Sequence, residues 1–395
     1  MTDETPQSST RSRPLAALRA MIDAIDRDVL MLFARRMAIV GEVAAFKREN
    51  TVRIRDLSRE RRVLSDRSSR AERLGLPGGT IESVFRLLLV ASRDYQASLR
   101  AELPLEVEAR TVAILGGGGG MGKRLAEMFG DLGHPVMITD LDTRLTNVEA
   151  AKAADVVVVS VPIDKTEAVI AEVGPHVRED GLLMDVTSIK REPVDWMMKA
   201  TKASVVGTHP MFGPGVHSLS GQRVVLCEGR GAEWYAWVKQ MLAARGLVVT
   251  ETSAEQHDKA MAIVQVLNHY HTQVLGLALA RMEVPLEKTL EFTSPAYLLE
   301  MYVTARHFAQ APELYGEIEM RNPETVEVMK AFAASAAELA EVIEAKDQAR
   351  FRGIFEEVRG YFGDFTDEAL EQSRFLIDRL IELTAGRSGA GATGD

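Results

Sequence analysis

From Leu15 the apolar positions fall at Leu15, Leu18, Ile22, Ile25, Val29 and Leu32 and resume at Ile39, Val43 and Phe46. This alternation of threes and fours predicts one long amphipathic helix. A second helix follows around Arg59 to Leu64, then a break at Leu76-Pro77-Gly78-Gly79 and a third helix from Thr80 to Arg100. After Ala101–Glu106, a linker by composition, the period changes. Short apolar runs at Thr111–Leu115, Val136–Asp140, Asp155–Val161, Gly181–Val186, Ser204–Thr208, Arg223–Cys227 and Leu247–Thr250 alternate with helical stretches. Such alternation predicts a mostly parallel sheet covered on both faces. From Ser253 the strands stop and helical patterns run to Leu383. The chain thus divides into an all-α module over 11–103, an α/β unit over 108–252 and an all-α unit over 253–385. Polar tails at 1–10 and 386–395 are expected to be loose.

Composition adds limits. A net charge of −10 argues against nucleic acid as a partner, and the apolar runs are too short for a bilayer, so no membrane partner is expected. The single cysteine, Cys227, excludes an intrachain disulfide and a cysteine metal cluster, which points to a reducing cytoplasm and no metal.

The glycine run Gly116–Gly120, with Gly122, lies between the first strand of the α/β unit and a helix. Its G-x-G-x-x-G frame falls on Gly117, Gly119 and Gly122, with Met121 inside it. Glycine is needed there for a tight turn, close approach of pyrophosphate and close helix–strand packing, and the helix N-terminus offers free N–H groups to phosphate. Asp140 ends the second strand, about 20 residues on, where a carboxylate takes ribose hydroxyls and repels a 2′-phosphate. The expected fold is Rossmann-like and the expected cofactor is NAD. Gly116 and Gly118 have no role in this frame.

Ligands of such sheets sit past the carboxyl ends of the strands. Ser160 and Pro162 follow one strand, Ser188 and Lys190 the next, and His209-Pro210-Met211-Phe212-Gly213-Pro214 another. Of the eight histidines, His209 is the best placed for a general base, with a structural role as the alternative. His257, His269, His271 and His307 fall in the helical part and rank lower. Arg306, in a largely apolar helix, is either a carboxylate clamp or a salt-bridge partner of Glu300 or Glu313. In the first module Arg36 interrupts the apolar seam and calls for an anion. Lys47, about three turns on, shares its face, so the two could hold a small dianion. Arg19 is about 25 Å from Arg36 on another side and could only serve a partner chain's site. The alternative is a plain helical dimerisation module.

Two motif sets carry a resemblance. Arg19, Arg36, Lys47, Asp56, Arg59, Glu60, Ser92 and Gln96 resemble, in order and spacing, the all-helical chorismate mutases fused to aromatic-biosynthesis enzymes. Gly117-x-Gly119-x-x-Gly122, Val159–Pro162, Asp185–Lys190, His209–Pro214 and Ala305–Gln310 look like prephenate dehydrogenase. Together they resemble the bifunctional enzymes that join the two. The resemblance implies an intertwined homodimer, rearrangement of chorismate to prephenate, NAD-dependent oxidative decarboxylation of prephenate and feedback by tyrosine. It implies that Arg36 and a partner chain's residue equivalent to Arg19 clamp carboxylates and that Lys47 and Gln96 face the ether oxygen. It also implies that Glu60 takes the ring hydroxyl, with Asp56, Arg59 and Ser92 beside the substrate. In the second half His209 accepts the C4 hydroxyl proton, Arg306 holds a carboxylate, and Ser188 and Lys190 line the cleft. The competing readings are an arogenate or other Rossmann dehydrogenase with a non-catalytic helical module, and a ligand sensor.

Overall fold

The computed structural model describes residues 13–49, 56–100, 108–216 and 218–385. The expected loose tails, the linker at 101–106 and His217 lie outside the described residues. The first module is three helices: α1 (Leu15–Glu49), α2 (Leu57–Arg73) and α3 (Gly78–Arg100). Helix α1 spans 35 residues, and its apolar seam is open: Leu15, Ile22, Ile25 and Leu32 are each more than half exposed. A seam that long cannot be buried by α2 and α3 alone. Asp56 starts α2, its carboxylate accepting the Arg59 backbone N–H at 2.9 Å and the Ser58 hydroxyl at 2.8 Å.

The central unit is one seven-stranded sheet of β1 (Val112–Leu115), β2 (Val136–Thr139), β3 (Val156–Val159), β4 (Leu182–Asp185), β5 (Ser204–Pro210), β6 (Arg223–Arg230) and β7 (Val248–Thr252). Its order is β2-β1-β3-β4-β5-β6-β7, and every pairing is parallel except β5 with β6. Valine-rich strands such as Val156–Val159 are buried on both faces, as a covered parallel sheet requires. On one face Val112, Ile114, Val158 and Met184 pack against Phe129 of α4 (Gly120–Asp131) and Met241 of α8 (Ala232–Ala244). On the other, Leu115, Val157 and Leu183 meet Ala150 of α5 (Asn147–Ala153), Ile170 of α6 (Ile163–Val173) and Met197 of α7 (Arg191–Ala200). Phe129 is 2% exposed, so truncating it to alanine would cost about 3–5 kcal/mol. Helix α5 has no counterpart in the expected elements. A capping box between Thr146 and Glu149 starts it.

The remaining elements are helical: α9 (Ala254–Met261), α10 (Asn268–Arg281), α11 (Leu286–Glu291), α12 (Pro295–Phe308), α13 (Pro312–Arg321), α14 (Thr325–Glu344), α15 (Gln348–Phe362) and α16 (Phe365–Ala385). The helical pattern expected from Ser253 is interrupted by a π-helical turn at Ala262–Leu267, which joins α9 to α10. Among the described residues no helix is long and apolar enough to cross a membrane, and no cluster of His, Cys, Asp and Glu could hold a metal ion.

Candidate active sites

The glycine loop is built by its neighbours. Gly116 turns the chain out of β1 with φ +80°, and a Cβ there would lie 2.4 Å from the Ser160 carbonyl oxygen. A Cβ on Gly122, inside α4, would lie 2.4 Å from the Gly116 oxygen and 2.6 Å from the Gly117 Cα, so the helix rests directly on the loop. Gly117 is buried and its N–H donates to the Thr139 carbonyl at 3.0 Å. Gly119 is the N-cap of α4. Asp140 directly follows β2 and is exposed, with its Oδ2 accepting the Gly118 N–H at 2.9 Å. The two glycines outside the motif therefore have roles: Gly116 makes the turn, and Gly118 brings backbone against the Asp140 carboxylate. Met121 is partly buried and packs into the core. Pro162 caps α6 without a side-chain bond. The Ser160 hydroxyl oxygen, beside this loop, is buried with no partner among the described residues. A cradle that admits no Cβ, a free helix N-terminus, an acidic residue at the end of β2 and an orphaned hydroxyl fit a dinucleotide such as NAD.

His209 lies in β5, 2% exposed. Its Nδ1 is 2.9 Å from Nε2 of His257 in α9, and His257 Nδ1 is 2.8 Å from Asp258 Oδ1. Its other nitrogen, Nε2, is 3.4 Å from Gln265 Nε2 on the π-turn. Burial holds the His209 imidazole well below the ordinary histidine pKa, reinforced by His257 and the Lys190 cation. Burial also lowers His257, against the opposing pull of Asp258. The position expected to rank low among the histidines, His257, is thus the one that touches His209. Sequence offered only the adjacent His257-Asp258 pair as a signal, and 48 residues separate it from His209.

Lys190 corrects another expectation. It does not line an open cleft: it is fully buried and ion-paired with the equally buried Asp185, and its ammonium lies 3.1 Å from the Thr187 hydroxyl. Thr208 ties β5 to the same place by donating to the Asp185 carbonyl at 2.6 Å. Ser188 is half-buried between these residues. The loop after β5 is anchored by Arg124 of α4, whose guanidinium donates to the Val216 carbonyl at 2.8 Å. Arg306 is exposed on α12 and, among the described residues, pairs with neither Glu300 nor Glu313.

In the helical module Arg36 is half-buried and donates to the Ser92 hydroxyl at 2.5 Å and the Leu88 carbonyl at 3.4 Å. Among the described residues no carboxylate pairs with it, and burial lowers its pKa. Ser92 and Gln96 are buried, and the Gln96 amide donates to the Ser92 carbonyl at 3.1 Å while its oxygen has no partner among the described residues. Glu60 accepts from Arg93 at 2.7 Å, a pairing no motif indicated. Lys47 is half-buried on α1, whereas Arg59 and Arg19 are exposed. The chain brings Arg36, Ser92 and Gln96 together and leaves Arg19 apart.

Comparison with known proteins agrees with both halves. Family models match for type II chorismate mutase over residues 18–97, for the nucleotide-binding domain of prephenate dehydrogenase over 134–251 and for its dimerization domain over 253–357. A T-protein of Haemophilus influenzae is 33% identical, covering 94% of this chain and 98% of its own. One from Enterobacter agglomerans is 36% identical over 92% of this chain and 97% of its own. A solved prephenate dehydrogenase from A. aeolicus, in complex with hydroxyphenyl propionate and NAD+, shares the fold at 21% identity. Its TM-score is 0.56, and the likeness covers 64% of this chain and 97% of that one. Fold, glycine cradle and matches define an NAD-dependent prephenate dehydrogenase joined to a chorismate mutase. The chain belongs to the T-protein family, the bifunctional enzymes of tyrosine biosynthesis.

Proposed function

We propose that this chain converts chorismate to prephenate in its helical module and prephenate to 4-hydroxyphenylpyruvate in its sheet unit, with the residues assigned as follows. The rearrangement is pericyclic and needs no nucleophile. It needs the dicarboxylate held in its compact form and charge stabilised on the ether oxygen. Arg36, a half-buried cation with no carboxylate partner among the described residues, takes one carboxylate together with a partner chain's Arg19-equivalent, and Lys47 and Gln96 face the ether oxygen. Glu60 takes the ring hydroxyl, with Ser92 and Arg59 beside the substrate. Asp56 acts locally, as the cap of α2.

In the sheet unit Gly117, Gly119, Met121, Gly122, Asp140, Ser160 and Pro162 form the bed for NAD, which when bound supplies the acceptor for the hydride leaving C4. His209 takes the C4 hydroxyl proton, the ring carboxylate departs as CO2, and the ring aromatises. Arg306 and Ser188 orient the substrate. Lys190 acts from behind, as the buried partner of Asp185. The observation that carries this reading is a histidine kept neutral by burial at the carboxyl end of β5, held by a second histidine. A homodimer is supported by the open seam of α1. Tyrosine inhibition fits the product, whose phenol and carboxylate tyrosine shares. Work in a reducing cytoplasm fits one buried cysteine, Cys227.

Supplying the purified protein with chorismate and NAD tests the proposal. NADH and 4-hydroxyphenylpyruvate should appear together. Loss of chorismate without NADH would contradict it.

A further inference from the structure

Three groups on one helical run, α9 with the π-turn that follows, address the ring of His209. Asp258 is the fixed end. Its Oδ1 accepts the Lys190 backbone N–H at 2.9 Å, its Oδ2 accepts that of Arg191 at 3.0 Å, and the Asn322 amide donates to its carbonyl at 2.8 Å. The carboxylate therefore sits at the N-terminus of α7, where amide donors and the helix dipole favour its ionised form.

An ionised carboxylate only accepts hydrogen bonds, so the contact of 2.8 Å to His257 requires a proton on His257 Nδ1. A neutral imidazole carries one proton, so His257 Nε2 is bare and faces His209 Nδ1 at 2.9 Å as an acceptor. That contact in turn requires the His209 proton on Nδ1. Of the two nitrogens without a proton, His257 Nε2 is taken by the His209 Nδ1–H, so the lone pair that no ring N–H occupies is on His209 Nε2. Both rings are almost fully enclosed, at 1% and 2% exposure, and the fully buried Lys190 cation lies close by, which opposes a second proton on either ring. Gln265 gives independent agreement from the far side. Its amide nitrogen, a donor only, stands 3.4 Å from His209 Nε2, where an acceptor is required. The π-turn at Ala262–Leu267 adds a residue to the helical repeat and so lets Gln265 share the His209 side with His257.

Resting on the reading of His209 as the base, we infer that His257 and Asp258 are positioning residues that lock His209 in the tautomer with Nδ1 protonated and Nε2 free to take the substrate proton. Gln265 holds that lone pair until a substrate hydroxyl replaces it. No charge moves to Asp258: each proton stays on its own ring, and the lock acts by permitting one arrangement of donors and acceptors.

The test uses the full chain labelled with 15N in histidine, with His209→Asn identifying the His209 signals. The expected spectrum near neutral pH shows a pyrrole-type Nδ1 and a pyridine-type Nε2 for His209. The reverse assignment overturns the inference. His257→Ala should lower kcat for prephenate oxidation by roughly 10²-fold or more while KM for NAD and the mutase rate hold. His257→Gln should recover part of the loss, because its NH2 turns to Asp258 and its oxygen remains to accept from His209. Wild-type oxidation by His257→Ala, or no recovery in His257→Gln, counts against the lock. If His209→Asn itself oxidises prephenate, the underlying reading of the base fails. If it is inactive while His257→Ala is normal, the lock alone fails.

Discussion

The two candidate sites differ in how far their residues are joined to one another within this chain. In the dehydrogenase half His209, His257, Asp258, Lys190, Asp185 and Thr208 are joined within this chain into one buried network. In the mutase half Arg36 is half-buried with only neutral acceptors among the described residues, the Gln96 amide oxygen has no partner among them, Arg19 is exposed, and the apolar seam of α1 is open along its length. A pericyclic reaction needs only a rigid charged container, which two chains can build between them. Proton removal needs one nitrogen at one protonation state, which favours a site folded into a single core.

The largest difference between the two halves is expected at His209. His209→Asn should reduce prephenate oxidation by about 10²- to 10⁴-fold, measured as NADH formation, with chorismate rearrangement unchanged. Lys47→Ala should do the converse, lowering the mutase rate by about 10²- to 10³-fold with prephenate oxidation intact. A variant in which both activities fall together would show that the halves are not separable.

The buried network makes a stability prediction for one half alone. Lys190→Met leaves the Asp185 carboxylate buried and unpaired and should cost about 3–5 kcal/mol, read as a lower unfolding midpoint of the dehydrogenase half. The smallest effect concerns pH. Because burial, then His257 and Lys190, depress the His209 pKa, the base form persists into acid. The acid limb of kcat/KM for oxidation assigned to His209 should lie below pH 6.5. The same depression means that the unfolded chain binds a proton that the folded chain refuses. Stability from this group is therefore complete above about pH 6.5 and declines as the pH falls below it.

Local signals made the sheet unit legible. Val156–Val159 and Leu182–Asp185 announce buried strands, and the glycine run between β1 and α4 announces a phosphate bed. His209 stood out because it follows a strand that ends at the crevice. What stayed hidden depended on approach through space. Gly116 is required by the Ser160 carbonyl, 44 positions on. His257 gains its meaning from β5, which β6, α8 and β7 separate from it in the chain, and Lys190 looked like a cleft residue because sequence does not show that it is buried against Asp185. The π-turn left no mark, since Ala262–Leu267 reads as ordinary helix. In the mutase half the residues were legible and their partner was not, because that partner is expected from a second chain.

The central contrast is tested by complementation. Arg19→Ala and Lys47→Ala chains, each inactive as a mutase, are co-expressed and purified together. If the mutase site is shared, each mixed dimer contains one site with both residues intact, and random mixing restores about a quarter of the wild-type mutase rate. A mutase rate no higher than that of either variant alone would contradict the account and place the whole site within one chain.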